Sequence, residues 1–366
     1  MTECDFTREA DIIRILGPGN AAEWRAAWTR LPAEQRDVFA RWEYYDAFSL
    51  LEPSAIPECA VFDGDDGIIL YPYFRRPLSS IDWLKAPEGA FDLSSAYGYG
   101  GFYGSTADRH LLDVFHGQFS AHCRATGVVA DLIRVNPIVL DTGTICPPYS
   151  SREGNFQVVV DLQRSDAEIW ASYKHNNRKN VNKALRSGVE IVREEGAGRF
   201  FPEFLSIYDS TMVRRGAHGF RFSPKFFERL LEGLGDKAQL FYALISGRVV
   251  SAELAILSET SMYSFLGGTD EAYFEFRPAN LLKHEMIRWA RDEGLSKFLL
   301  GGGPRGEDGV FEFKRSFAPD GVIRFDVAWR VHDHVLYGIL VDRCRAHPPQ
   351  SEASAERYPL RWRYGG

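Results

Sequence analysis

The apolar positions of this chain switch repeatedly between the spacing of an amphipathic helix and the alternation of a half-buried strand, and the switches follow an order. Ala21 to Arg30 and Glu34 to Leu51 place large apolar residues at helical spacing. Pro57 to Phe62 and Gly67 to Phe74 alternate as strands on either side of the turn Asp63-Gly64-Asp65-Asp66. Asp108 to Thr126 is helical again, and Val128 to Val135 is a buried strand ending at Asn136-Pro137. Asp141 to Gly154 carries Pro147-Pro148 among Ser and Thr residues, which resist either period, so it is expected to be a linker.

After that break the order recurs in outline. Phe156 to Leu162 is a strand, Ala167 to Ser187 a helix with Gly188 where a left-handed end residue is wanted, and Val189 to Arg193 a strand. Phe200 to Val213 is helical, and Ser223-Pro224 supplies the cap and first-turn proline of a helix running to Leu234. Ala238 to Ser246 and Val249 to Leu257 form a hairpin about Gly247-Arg248, followed by a strand from Ser261 to Leu266. Ala279 to Glu293 is an amphipathic helix and Lys297 to Leu300 a closing strand. This is an α+β order on a mixed sheet. A doubly wound nucleotide fold would need strict alternation and a GxGxxG after its first strand, and the sequence has neither. The order fits two GNAT-like acyltransferase domains in tandem, 1–150 and 151–324.

Composition narrows the class. At 366 residues, with 45% hydrophobic and 25% charged residues, the chain is expected to build a sizeable core. It has no apolar run of the roughly 20 residues needed to span a bilayer. Its start, Met1-Thr2-Glu3-Cys4-Asp5, is acidic where a signal peptide would be basic, so a cytoplasmic location is expected. The five scattered cysteines argue against a disulfide scaffold, and no metal site is expected, with His332 and His334 assigned to solvent or a turn. A net charge of -7 excludes a globally basic nucleic-acid coat. Polyanion binding would then fall to local patches. The strongest runs from Lys174 to Arg186 and includes Arg178, Lys179 and Lys183 without an acid. A weaker one has Arg357, Arg361 and Arg363 among Tyr358, Trp362 and Tyr364.

Reactive chemistry concentrates between Tyr263 and Phe317. Strands ending in Gly267-Gly268 and in Gly301-Gly302-Gly303 flank a proline-started helix, and Phe311-Glu312-Phe313-Lys314-Arg315-Ser316-Phe317 follows. A fixed cation aimed at a carbonyl under attack lowers the barrier by several kcal/mol. Alternatively, the Phe/Lys alternation puts Lys314 on a strand with its stem over Phe311 or Phe317 and its head in water.

Three blocks resemble the Fem family of aminoacyl-tRNA-dependent aminoacyltransferases. Arg178 to Glu190 looks like the family's basic helix, Pro278 to Gly294 like its proline-started helix, and Gly301-Gly302-Gly303 with Val310 to Phe317 like its "G-x-x-x-FK-x-x-F" ending. The second half is covered well. The first is matched loosely, through Asp92 to Gly101 and Ile133 to Pro137. The resemblance implies two GNAT-like domains, with the C-terminal stretch 325–366 returning to complete the first, and transfer of an aminoacyl group from a charged tRNA to an amine, with no cofactor beyond the aminoacyl-tRNA.

By the same resemblance, Lys314 stabilises the tetrahedral intermediate and Phe313 shapes the substrate site; Gly302 and Gly303, at the strand end before them, are expected to bind substrate. Arg214, or its neighbour Arg215, binds acceptor phosphates unless both are only helix-end cations. Lys174, Arg178, Lys179, Lys183 and Arg186 receive the tRNA acceptor end. Glu253, in the hairpin strand where GNAT enzymes often keep a general base, is a further catalytic candidate or a solvent-facing acid. Tyr97, Tyr99, Gly100 and Gly101 form an aromatic, glycine-rich loop where substrate could approach. The first-half helix has no lysine between Phe39 and Phe48 for a nucleotide diphosphate, so a natural-product intermediate stands beside a peptidoglycan precursor as acceptor. Two rivals remain. One is a CoA-dependent N-acyltransferase, although Arg277-Pro278-Ala279-Asn280-Leu281-Leu282 lacks the glycines of a pyrophosphate turn; the other is a non-catalytic glycan- or peptide-binding protein.

Overall fold

A computed structural model describes residues 12–64, 67–217, 219, 221–303, 306–346 and 358–363. Asp65 and Asp66 of the first hairpin turn, and Arg357 and Tyr364 of the C-terminal patch, lie outside these. In chain order the first half comprises β1 (Arg14–Leu16), α1 (Ala21–Thr29), α2 (Trp42–Ser49), β2 (Ile56–Gly64), β3 (Gly67–Pro77), β4 (Phe91–Ser94), β5 (Tyr103–Gly104), α3 (Arg109–Ala125), β6 (Val128–Arg134) and α4 (Thr142–Ile145). The second begins with β7 (Ser150–Asp161), α5 (Asp166–Ser172), α6 (His175–Arg186), β8 (Val189–Glu195), α7 (Phe201–Arg214), α8 (Pro224–Leu234), β9 (Ala238–Ile245) and β10 (Arg248–Leu257). It continues through β11 (Ser261–Thr269), α9 (Pro278–Asp292), β12 (Lys297–Gly301), α10 (Gly309–Arg315), β13 (Val322–Val331) and α11 (His334–Ala346).

The strands form one mixed sheet in the order β1-β2-β3-β4-β6-β13-β7-β12-β11-β10-β9-β8, with β5 beside β3. The two halves repeat one plan. Antiparallel β2, β3 and β4 lead to the parallel pair β4 and β6, just as β9, β10 and β11 lead to the parallel pair β11 and β12. A helix bridges each parallel pair, α3 in one half and α9 in the other. The next strand in each half is antiparallel: β13 beside β6, and β7 beside β12. Because β13 also pairs with β7, the end of the chain joins the halves into one sheet.

Each parallel pair parts towards its carboxyl end. β11 and β12 are in register only from Ser261↔Lys297 to Tyr263↔Leu299, after which β11 continues to Thr269 without β12. β4 stays with β6 to Ser94↔Leu132, and the chain returns to that edge only at a bridge between Gly100 and Val135. Crevices at such points are where open α/β sheets bind ligands.

Four readings from periodicity are corrected. The helix expected from Ala167 to Ser187 breaks at Tyr173-Lys174, because the Lys174 N–H is taken by the Ser316 carbonyl at 2.8 Å and Tyr173 is buried against Phe317. The helix expected from Glu34 to Leu51 is interrupted at Asp37, which is buried and accepts from the Phe39 N–H and the hydroxyls of Ser258 and Tyr263. The second part of the expected linker is strand β7, whose partners include Trp329, far along the chain from Ser150. Finally, Gly309–Arg315 is a helix capped by Asp308 and not a strand, and Phe313 meets Phe317 edge to face with centroids 5.3 Å apart.

Candidate active site

The crevice between β11 and β12 holds a cavity of about 420 Å³. Its walls come from β10, β11, the end of α7, the first turn of α9 and one face of α10. Glu253, Phe313, Lys314, Arg214 and Arg215, five residues singled out from sequence for chemistry, all line it.

Lys314 reaches the cavity from α10. Asp308 caps that helix by accepting from the Val310 and Phe311 N–H groups at 2.9 and 3.0 Å, which fixes the turn carrying the lysine. The Lys314 ammonium donates to the Gly302 carbonyl at 2.9 Å. Glycine is required beside this contact. A Cβ on Gly302 would stand 2.4 Å from the Phe156 carbonyl oxygen, and one on Gly303 would stand 2.1 Å from the Asp308 carboxylate. Gly302 and Gly303 therefore position Lys314 and its helix. Burial pushes the Lys314 ammonium down to about 8, the nearby Lys283 charge adds to the effect, and Glu253 opposes it.

Sequence reading missed Lys283. It stands on α9 among apolar neighbours, where its spacing reads as helix surface, yet its side chain is 3% exposed. The Lys283 ammonium pairs with the Glu253 carboxylate and donates to the Ser264 hydroxyl at 2.9 Å, while that hydroxyl donates to the same carboxylate oxygen at 2.6 Å. Burial lowers the Lys283 ammonium from its ordinary range, and Glu253 restrains that shift. Glu253 is thus neither solvent-facing nor a lone acid in an apolar strand. It is half of an ion pair on the cavity wall.

The two arginines at the end of α7 differ. Arg214 is occupied: it donates to the Thr269 carbonyl at 3.3 Å, covers the Phe274 ring at 5.2 Å and lies 4.0 Å from Glu271. Arg215 has no ion-pair partner among the described residues, and its charge is felt at Lys314. Arg277 precedes α9 in a left-handed conformation, also lines the cavity and likewise has no ion-pair partner among the described residues. Five cations, Arg214, Arg215, Arg277, Lys283 and Lys314, therefore share this cavity with the single carboxylate of Glu253. The first turn of α9 is filled with side chains: Asn280, Leu281 and Leu282 are buried, and the Asn280 amide donates to Asn177 at 2.8 Å.

Other expected residues lie elsewhere. Tyr97 lines a second cavity, in the first half. Tyr99 donates to Gln157 at 2.8 Å and packs on Phe39, Tyr263 and Phe325. Gly100 and Gly101 are buried, and Cβ atoms there would come within 2.5 Å of Ser95 and 2.6 Å of Leu140. The expected open glycine loop is instead packed interior, because Gly100 is bridged to Val135. On α6, Lys179, Lys183 and Arg186 are exposed opposite the buried Asn177, Val181 and Ala184. Lys174 pairs with Glu312 at 2.8 Å, and Arg178 donates to the Ala171 and Tyr173 carbonyls, so these two secure the helix start. In the C-terminal patch, Arg363 and Trp362 are anchored on Asp92. His332 is buried and bonded to Asp131 and Ser120, contrary to its expected exposure.

Residues 171–315 match the acetyltransferase (GNAT) domain family. No curated protein sequence matches the chain. Among solved structures, FemX superposes with a TM-score of 0.67 at 14% identity, over 89% of this chain and 99% of that one. The C-terminal domain of a putative lysylphosphatidylglycerol synthetase from Agrobacterium fabrum gives 0.55 at 14% identity, over 89% and 96%. L-PGS from Bacillus licheniformis gives 0.54 at 14% identity, over 88% and 96%. At these identities the likeness is one of fold. No helix among the described residues is long and apolar enough to cross a membrane.

Proposed function

We propose that this chain, whose residues 171–315 match the acetyltransferase (GNAT) domain family, is an acyltransferase that moves an aminoacyl group from the 3′ end of a charged tRNA to an amine, forming an amide bond. The observation that carries the reading is the charge of the cavity: five cations against one carboxylate where β11 and β12 part. Such a wall suits a donor whose reacting ester is attached to a run of phosphates. The resemblance to Fem enzymes supports the same donor, as does the fold shared with FemX.

In the proposed reaction the amine nitrogen attacks the ester carbon, a C–N bond forms and the bond to the ribose oxygen breaks. The proton lost by the amine is balanced by the one gained at the departing ribose hydroxyl. Lys314 holds the developing oxyanion with an ammonium fixed by the Gly302 carbonyl, so little reorganisation is needed as charge appears. Arg215 and Arg277, without an ion-pair partner among the described residues, take donor or acceptor phosphates. Phe313 borders the acyl group. The Glu253–Lys283–Ser264 cluster fixes the opposite wall, and the exposed Lys179, Lys183 and Arg186 track the acceptor arm.

CoA as donor is disfavoured by the side chains that fill the first turn of α9, where a pyrophosphate would need open backbone amides. The reading is tested with a non-hydrolysable tRNA carrying its amino acid through a 3′ amide. It is expected to bind, to lose affinity as salt rises and to be displaced by uncharged tRNA but not by CoA. Binding of CoA at this cavity without binding of the tRNA analogue would refute it.

A further inference from the structure

The second parting of parallel strands, between β4 and β6, holds a cavity of about 280 Å³. Its walls are aromatic: Phe48, Phe74, Tyr97 and Phe222. Its polar end is Arg134, the last residue of β6. Arg134 donates to the Ser95 and Ala96 carbonyls at 3.2 and 2.7 Å, has no carboxylate partner among the described residues, and keeps its buried Nε hydrogen unbonded. Arg76 lines the same cavity, and a single carboxylate, Asp92, serves both Arg76 and Arg363 at 2.8 Å each. Glu52 is the one acid on the cavity wall, and it is exposed. The balance of buried charge is positive.

We propose that this cavity is a binding site for a small apolar molecule bearing a carboxylate, held by the Arg134 guanidinium with its body between the aromatic rings. A planar guanidinium on the wall of a ring-lined space suits a carboxylate better than an amine, and the volume admits a molecule of amino-acid size. Its position suggests its use. Tyr97 and Phe48 lie 5.8 and 6.3 Å, centroid to centroid, from Phe265, whose residue lines the Lys314 cavity. One aromatic layer thus separates the two spaces. A carboxylate anchored on Arg134 would direct the far end of its bearer towards Phe265, which makes the amine acceptor a compound with its carboxylate at one end and its amine at the other. That use, but not the binding itself, rests on the proposed acyl transfer.

The test measures binding alone, by calorimetry on the full chain without any acyl donor. The probes are 3-phenylpropionate, L-phenylalanine and phenethylamine, which separate a bare carboxylate, an amino acid and a bare amine. Both carboxylates are expected to bind and phenethylamine not to. Arg134→Gln is expected to weaken the carboxylates at least about tenfold, since a charge-assisted pair is lost. Arg215→Gln, in the other cavity, is expected to leave them unchanged. Should Arg134→Gln fail to fold, Phe222→Asp places an acid on the wall and is expected to abolish carboxylate binding. Equal binding of phenethylamine, or carboxylate binding indifferent to both Arg134→Gln and Phe222→Asp, would overturn the proposal. If carboxylates bind as described but no aminoacyl transfer occurs, the site stands and the transfer reading falls.

Discussion

At the residue scale two lysines, Lys314 and Lys283, define the candidate site. Lys314 was legible because a cation beside glycine-ended strands is conspicuous in sequence, but the string around it suggests a strand; only Asp308 and the Gly302 carbonyl make it a fixed donor on a helix. Lys314→Ala is expected to lower kcat about 10² to 10³-fold with little change in KM, as for loss of one oxyanion donor. With its ammonium pushed down to about 8, activity is expected to fall as pH rises through that value. Lys314→Arg should move the alkaline limb upward; an unmoved limb would assign it to another group. Stability has the opposite slope. Between about 8 and the ordinary 10.5 the unfolded chain holds the proton more tightly than the folded one, so the lysine's contribution improves with pH in that window. Lys314→Met is expected to flatten that part of the stability profile. Lys283 was not legible, because nothing local says that a lysine on an amphipathic helix meets a glutamate on a strand. Lys283→Met leaves Glu253 on the wall without its cation and should cost about 3 kcal/mol or more by urea denaturation, while the double change with Glu253→Gln should recover most of it. Equal losses in both variants would deny the pair.

At the scale of elements, strong local signals were sufficient where the chain decides alone. Ser223-Pro224 starts α8 as its sequence suggests, with the Ser223 hydroxyl accepting from Phe226, and Gly188 closes α6 with φ at 71°. They failed where a distant group decides. The break before α6 depends on Ser316, the interruption at Asp37 on Ser258 and Tyr263, and β7 on β13. The packed Gly100-Gly101 loop is another case, since the contacts that close it come from Ser95, Val135 and Leu140. A prediction belongs here. Asp308→Ala should cost about 1 kcal/mol as a lost cap, and because α10 carries Lys314 it should lower kcat by more than that loss of stability reduces the folded fraction. A fall in activity matched by the fraction unfolded would reduce Asp308 to a stabilising cap only.

At the scale of the molecule, the order of elements suggested a duplicated plan, and the sheet has two parallel pairs that part in the same sense. What the order could not reveal is that β7 and β13 lie side by side at the centre. Hydrogen bonding across that junction, together with the seat of Trp362 and Arg363 on Asp92, predicts one cooperative unfolding transition in calorimetry. Two separate transitions would mean that the halves fold independently. The central claim, that the acyl group arrives on tRNA, is tested most directly by a transfer assay with labelled donors. Hydroxylamine serves as a surrogate amine, with aminoacyl-tRNAs and acyl-CoAs supplied in parallel reactions and the enzyme-free hydroxylaminolysis of each donor subtracted. Label is expected to pass from aminoacyl-tRNA, and to be abolished by prior RNase treatment and by Lys314→Ala; transfer from acyl-CoA that ignores RNase would refute a tRNA donor.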